Sequence, residues 1–247
     1  MAIIAEIANL AVGKGSMAVV TYRDTDGIPR PAIVLLHDAH GLVPGTLKIA
    51  EGLAAEGFVV VAPDTFHRAG WMMTDESGPA QQDSMLLRVG MTNAGHLSDM
   101  NLLAEHIQSQ TYVSHEQVGV TGFCLGGRIA FLAATQGVGF GPSVLFYPTR
   151  LWQADPAIPD APAPLSVAII NHPMLSFFPE LDPQNPPERV EEFKATFAGM
   201  PVESVVVPNG VHGFAQPQGA YFHPEQGPIA WQRCIDFFKQ HLPVVGA

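Results

Sequence analysis

Residues Val118–Ala134 read VGVTGFCLGGRIAFLAA. A β-branched apolar run enters a glycine cluster and leaves as an alanine-rich segment with helical spacing, so the stretch predicts strand, tight turn, helix. Cys124 stands at the turn in the order Gly-x-Cys-x-Gly. That is the pattern of a nucleophile elbow, in which small neighbours let strand and helix approach while the reactive side chain is lifted out of the sheet. The start of the following helix is a local positive pole that favours a thiolate. The same run also fits a buried cysteine packed beside a glycine-rich turn. It is neither G-x-G-x-x-G nor a phosphate-binding loop, because no Lys-Ser/Thr follows Gly127.

The pattern on either side alternates. PAIVLLHD (31–38) and FVVVAPD (58–64) are continuous apolar runs, separated by TLKIAEGLAAEG (46–57) with helical spacing. Beyond a polar segment reaching about Gln82, LSDMNLLAEHIQSQ (97–110) predicts a helix, QVGVTGF (117–123) a strand and LGGRIAFLAATQG (125–137) a helix. GPSVLFYP (141–148) predicts a strand and is followed by a proline-rich loop from Pro156 to Pro164. HPMLSFF (172–178) and VESVVVPNG (202–210) predict strands, with helices at PPERVEEFKATFAG (186–199) and IAWQRCIDFFKQHL (229–242). Continuous apolar strands separated by helices predict an α/β protein, a mostly parallel sheet with helices on both faces, in one domain spanning 1–247. The N-terminal MAIIAEIANLAVGKGS lacks a basic region and is interrupted by Glu6, which predicts an entry segment and first strand and not a signal peptide.

Composition excludes several classes of function. A formal net charge of −11 disfavours a nucleic-acid partner, which needs clustered Lys and Arg. No apolar run reaches bilayer length, so no membrane association is expected. The two cysteines, far apart in sequence, suggest neither a disulfide framework nor a metal site, and fit a reducing cytoplasm. No cofactor and no metal is expected, and a monomer or homodimer fits equally.

Partners for Cys124 follow from chain order. His212, in VVVPNGVHGFA after the last predicted strand, lies where the base of an α/β-hydrolase falls, after nucleophile and acid. His37, His40, His67 and His172 also stand near strand ends and could be polar or solvent-facing. The acid should follow the strand HPMLSFF, which offers Asp182 and its competitor Glu180. Asp182 could equally start a turn before Pro183. The N–H groups of Leu125 and Ala39 are the expected oxyanion donors, with Asp38 close to the nucleophile. Tyr147 and Phe146 end a strand near the elbow and could line a pocket. Cys234 shares its helix face with Trp231, Ile235 and Phe238 and reads as a core cysteine. Trp71, Met72 and Met73 could pack or roof the pocket.

On PAIVLLHDAHGL, VVVAPDTF, GFCLGGR, ELDP and VHGF, the chain resembles the dienelactone hydrolase (carboxymethylenebutenolidase) family, cysteine-dependent members of the α/β-hydrolase fold. The resemblance implies a cofactor-free hydrolase of small esters or lactones, with Cys124 as nucleophile, His212 as base and Asp182 as acid. It places Asp38 where the family has a glutamate that triggers the cysteine, and Arg68 at one of the arginines that grip the substrate carboxylate. Gln216 stands in the region where the family has another arginine, and Arg88 is the only candidate for the remaining one. A thioesterase or acyltransferase on the same fold, or a non-catalytic ligand-binding or redox-sensing protein, are the alternatives.

Overall fold

A computed structural model describes residues 2–69, 92–114, 117–154 and 162–242. Trp71, Met72, Met73, Arg88 and most of the proline-rich loop lie outside the described residues. One eight-stranded sheet runs through the structure: β1 (Ile3–Val12), β2 (Gly15–Asp24), β3 (Ala32–Leu36), β4 (Val59–Pro63), β5 (Val118–Phe123), β6 (Phe140–Phe146), β7 (Met174–Pro179) and β8 (Val202–Val207), in the order β1-β2-β4-β3-β5-β6-β7-β8. From β4 to β8 all pairs are parallel; β1 and β2 form an antiparallel hairpin that joins β4 antiparallel.

The helices are α1 (Pro44–Ala55), α2 (Asn93–Gln108), α3 (Leu125–Gln136), α4 (Pro187–Thr196) and α5 (Gln226–His241). One face of the sheet carries α2, α3 and α4 through Met100, Leu103, Ile129, Phe131 and Phe193. The other carries α1 and α5 through Ala50, Leu53, Cys234 and Phe238. Strands β3 to β7 are buried along their whole length, which is why they read as continuous apolar runs.

The N-terminal expectation needs correction: two strands stand where one was expected. β1 is mostly exposed and β2 alternates. Such a hairpin at a sheet edge lacks the continuous apolar run that marks a central strand.

The elbow is where the fold is tightest. A Cβ on Gly126 would lie inside contact distance of the carbonyl oxygens of Leu36 and His37, the latter at 2.5 Å; one on Gly122 would lie 2.5 Å from the Gly126 oxygen. The first turn of α3 therefore rests directly on the end of β3, and only glycine permits it. Gly126→Ala should cost about 3 kcal/mol through backbone displacement, read as a fall in Tm. Gly52→Ala, where an added Cβ meets nothing within 4 Å, should leave Tm unchanged or raise it.

Candidate active site

Cys124 adopts φ 53° and ψ −112°, a left-handed backbone conformation that L-residues avoid. The surrounding bonds fix it there. Its N–H donates to Phe146 O at 3.1 Å, extending the sheet, and its carbonyl accepts from the N–H groups of Arg128 and Thr149 at 3.1 Å each. Such strain, of order 1–3 kcal/mol, persists only where the surroundings over-determine it. Leu125 opens α3, so its N–H belongs to the first turn, whose donors have no partner within the helix. The contact of Gly126 with β3 brings that turn against the loop that begins at His37 and carries Ala39.

The structure brings Asp182 and His212 together, and both to Cys124. Asp182 is buried just beyond β7, where Oδ1 accepts from Gln184 N–H at 2.9 Å and Oδ2 from the Asn185 side chain at 2.9 Å. Its Oδ2 also faces His212 Nδ1 at 2.8 Å, so Nδ1 carries the proton. Burial would raise the Asp182 carboxyl, but the His212 and Asn185 bonds outweigh it and hold it below its usual value. Glu180 points elsewhere: its Oε2 accepts from Asn209 N–H at 2.8 Å. Asp182 thus starts a turn and holds the imidazole at once. Asn185 was not singled out in the sequence, although an amide three residues after an aspartate in a Pro-containing turn is the available signal.

Burial alone would lower the His212 imidazole. The charge of Cys124 and the bonds to Asp182 and Cys124 reverse this and raise it to about 10. The bond to sulfur is loose, since Nε2 lacks a partner of good directional geometry among the described residues. Catalytic hydrogen bonds are often poorly aligned until substrate binds.

Tyr147 is buried beside the imidazole of His212. Its ring lies edge-on to His212 at 4.8 Å between centroids, and its backbone is also left-handed, at φ 39°. Its hydroxyl is buried without a hydrogen-bond partner among the described residues. Burial first, then the charges of Asp38, Cys124 and Asp182, push the phenol well above its ordinary range. It stays neutral and can donate.

Asp38 is held by its neighbours. It accepts from His40 N–H at 2.8 Å and faces His40 Nδ1 at 2.9 Å. Burial raises its carboxyl, but His40 and the Gln216 side chain, which also bonds it, bring it below the usual value. His37 is fully buried and not solvent-facing: Thr65 N–H donates to Nε2 at 3.0 Å, leaving Nδ1 to donate to Asp38 O at 2.7 Å. Arg68 forms a bidentate pair with Asp99, which His67 also contacts at 2.9 Å. Cys234 lies at the centre of the α1/α5 face, where burial drives its thiol far above the ordinary range.

Known proteins resemble this chain. The Dienelactone hydrolase family profile matches residues 17–242. A carboxymethylenebutenolidase of Rhodococcus opacus is 27% identical over 219 residues, covering 87% of this chain and 83% of that one. An Escherichia coli O157:H7 protein provisionally named a carboxymethylenebutenolidase is 26% identical over 222 residues, 89% of this chain and 80% of that one. The crystal structure of a Klebsiella pneumoniae protein provisionally named a dienelactone hydrolase superposes with a TM-score of 0.85 at 24% identity, covering 97% of this chain and 100% of that one. The sheet is thus that of the α/β-hydrolase fold.

Iodoacetamide should label Cys124 well before Cys234, checked by peptide mass mapping of native protein; equal labelling would place the accessible thiol wrongly. In Asp182→Asn, loss of the carboxylate that raises His212 should shift the imidazole titration below about 10, measured by NMR of the histidine ring. The chain from Met17 to Leu242, elbow included, belongs to the dienelactone hydrolase family.

Proposed function

We propose that the protein hydrolyses small neutral carboxylic esters or lactones through an acyl-enzyme on Cys124. As a family member it is a carboxylic ester hydrolase. The observation that carries the mechanism is His212 held between Asp182 at 2.8 Å and a thiol on a strained elbow. In the proposed sequence, His212 Nε2 already holds the proton given up by Cys124 when the sulfur adds to the ester carbonyl. The oxyanion accepts from the Leu125 and Ala39 N–H groups. The imidazolium then protonates the leaving alkoxide, the C–O bond breaks, and a thioester remains on Cys124. Water, deprotonated by His212, adds to that thioester; the C–S bond breaks and the acid leaves. Asp182 fixes the tautomer and stabilises the imidazolium throughout. Tyr147 is assigned to substrate, because its hydroxyl is a buried donor without an acceptor.

Neutral substrates follow from the distribution of charge. Arg68 is paired through both terminal nitrogens with Asp99, and Gln216 meets Asp38 with an amide where a guanidinium would carry charge. A substrate carboxylate forfeits charge-assisted bidentate bonds there. Asp38 is assigned a structural hold on the loop of Ala39, since His40 and Gln216 already engage it.

Turnover of a chromogenic ester should vanish in Cys124→Ala and persist in Cys234→Ala. Asp182→Asn should lower kcat by about 10⁴, and Glu180→Gln by far less; reversal of those two would refute the assignment of the acid. A neutral lactone should have the higher kcat/KM than its carboxylated counterpart, and a preference for the anion by about tenfold would reveal an anion grip in the pocket.

A further inference from the structure

A cleft of about 270 Å³ opens between the loop after β6, the turn after β7 and the start of α4. Arg150 and Trp152 line it from the loop, Pro183 from the turn, and Pro186 and Arg189 from the helix entry. Cys124, Tyr147 and His212 are not among the described residues of its wall, so the cleft is separate from the reacting atoms. With a formal net charge of −11 and only 12 Lys and Arg, this chain attracts an anion only where cations gather locally. Three arginines gather here. Arg128 is buried behind the wall and fixes the loop: Nη1 donates to Arg150 O, and Nη2 to Gln153 O at 3.4 Å. Arg150 stands in that loop at φ 57°, a left-handed conformation that L-residues avoid and that persists where the surroundings hold it.

The two arginines that line the cleft keep donors in reserve. Arg150 Nε donates to Gln153 Oε1 at 2.8 Å, and neither terminal nitrogen has a hydrogen-bond partner among the described residues. Arg189 Nη1 donates to Glu192 at 2.7 Å, but both side chains of that pair are nearly half exposed, and such a pair is weakly held. The Arg189 guanidinium lies over the Trp152 ring, 5.8 Å from its centroid. Guanidiniums with free terminal nitrogens suit a carboxylate or a phosphate, and the rest of the wall decides between them. Trp152, Pro183 and Pro186 present hydrocarbon, which an inorganic anion leaves uncovered and an organic acid buries. Trp152 Nε1 is also buried without an acceptor among the described residues, an unsatisfied donor on the residue that forms the apolar wall.

We propose that this cleft is a binding site for a small organic carboxylate, whose oxygens accept from the Arg150 and Arg189 guanidiniums while its hydrocarbon lies against Trp152. The cleft is slightly smaller than the sites that take drug-sized ligands, which suits a monocyclic acid. The site is additional to the catalytic pocket and stands whether or not the protein hydrolyses esters.

The test titrates benzoate, its neutral isostere benzamide and inorganic phosphate into the intact protein, before and after treatment with iodoacetamide to block the catalytic pocket. Binding is read from the Trp152 indole N–H resonance, identified by its absence from the spectrum of Trp152→Phe. Benzoate should shift that resonance saturably in both preparations, and benzamide and phosphate should bind more weakly by about tenfold. Arg150→Gln and Arg189→Gln should each raise the benzoate Kd by about tenfold, the loss of one hydrogen bond to a charged group. Circular dichroism and Tm report whether each variant is folded; Arg189, half exposed on a helix, decides the matter if Arg150→Gln does not fold. Equal affinity for benzoate and benzamide overturns the proposal, as does phosphate binding as tightly as benzoate. A benzoate Kd unchanged in the folded arginine variants overturns it too. Loss of the shift after iodoacetamide places the acid in the catalytic pocket and overturns it likewise.

Discussion

The contact on which the site depends is between two pieces of backbone. α3 enters so close to the end of β3 that the Leu36 and His37 carbonyls occupy the space where residue 126 would carry a Cβ. A methyl group there would push the helix outward, and two things would change together. The first-turn N–H groups would withdraw from the loop bearing Ala39, separating the two donors proposed above to hold the oxyanion. Cys124, whose carbonyl serves Arg128 in the helix and Thr149 beyond β6, would also be released from its left-handed conformation. Oxyanion donors cost no reorganisation only if they are already aimed. Here the aim is set by the absence of a side chain.

Around that elbow the protein concentrates negative charge and answers it with neutral or shared donors. Asp182 is satisfied by Gln184, Asn185 and His212, and Asp38 by His40 and Gln216. A buried carboxylate without such partners would be protonated. The counterpart is His212, whose imidazole is raised to about 10 by the charge of Cys124 and the bonds to Asp182 and Cys124. In the mechanism proposed above, that imidazolium protonates the leaving alkoxide as the C–O bond breaks. Tyr147 completes the set as a neutral donor, because every charge near it disfavours the phenolate.

What could be read in the sequence was what is written in contiguous residues. The parallel strands, the glycine-cysteine-glycine turn and the order of Cys124, Asp182 and His212 are local patterns, and the structure brings those three side chains together. The edge hairpin was half-seen because an exposed strand has no apolar run to announce it. His37 and His40 were indistinguishable as sequence, yet one is sealed against Thr65 and the other grips Asp38. Their roles depend on which loops meet, and that information lies in the pairing of β3 with β4 and β5. Arg68 illustrates the same limit: its partner Asp99 is 31 residues away, on α2.

The two helical faces of the sheet are packed differently. On the α2/α3/α4 face the helices are knitted to the sheet by large aromatic groups such as Phe131, Phe178 and Phe193, leaving rings in contact at 5.1 to 6.3 Å. On the other face, α1 presents glycines at 45 and 52 to a cavity whose far wall is Trp231 and Ile235. Glycine inside a helix is unfavourable relative to alanine by up to about 1 kcal/mol. At 126 the compensation is visible as a backbone contact. Gly52 is exposed and an added Cβ there would meet nothing within 4 Å, so no contact within the fold requires glycine at that position.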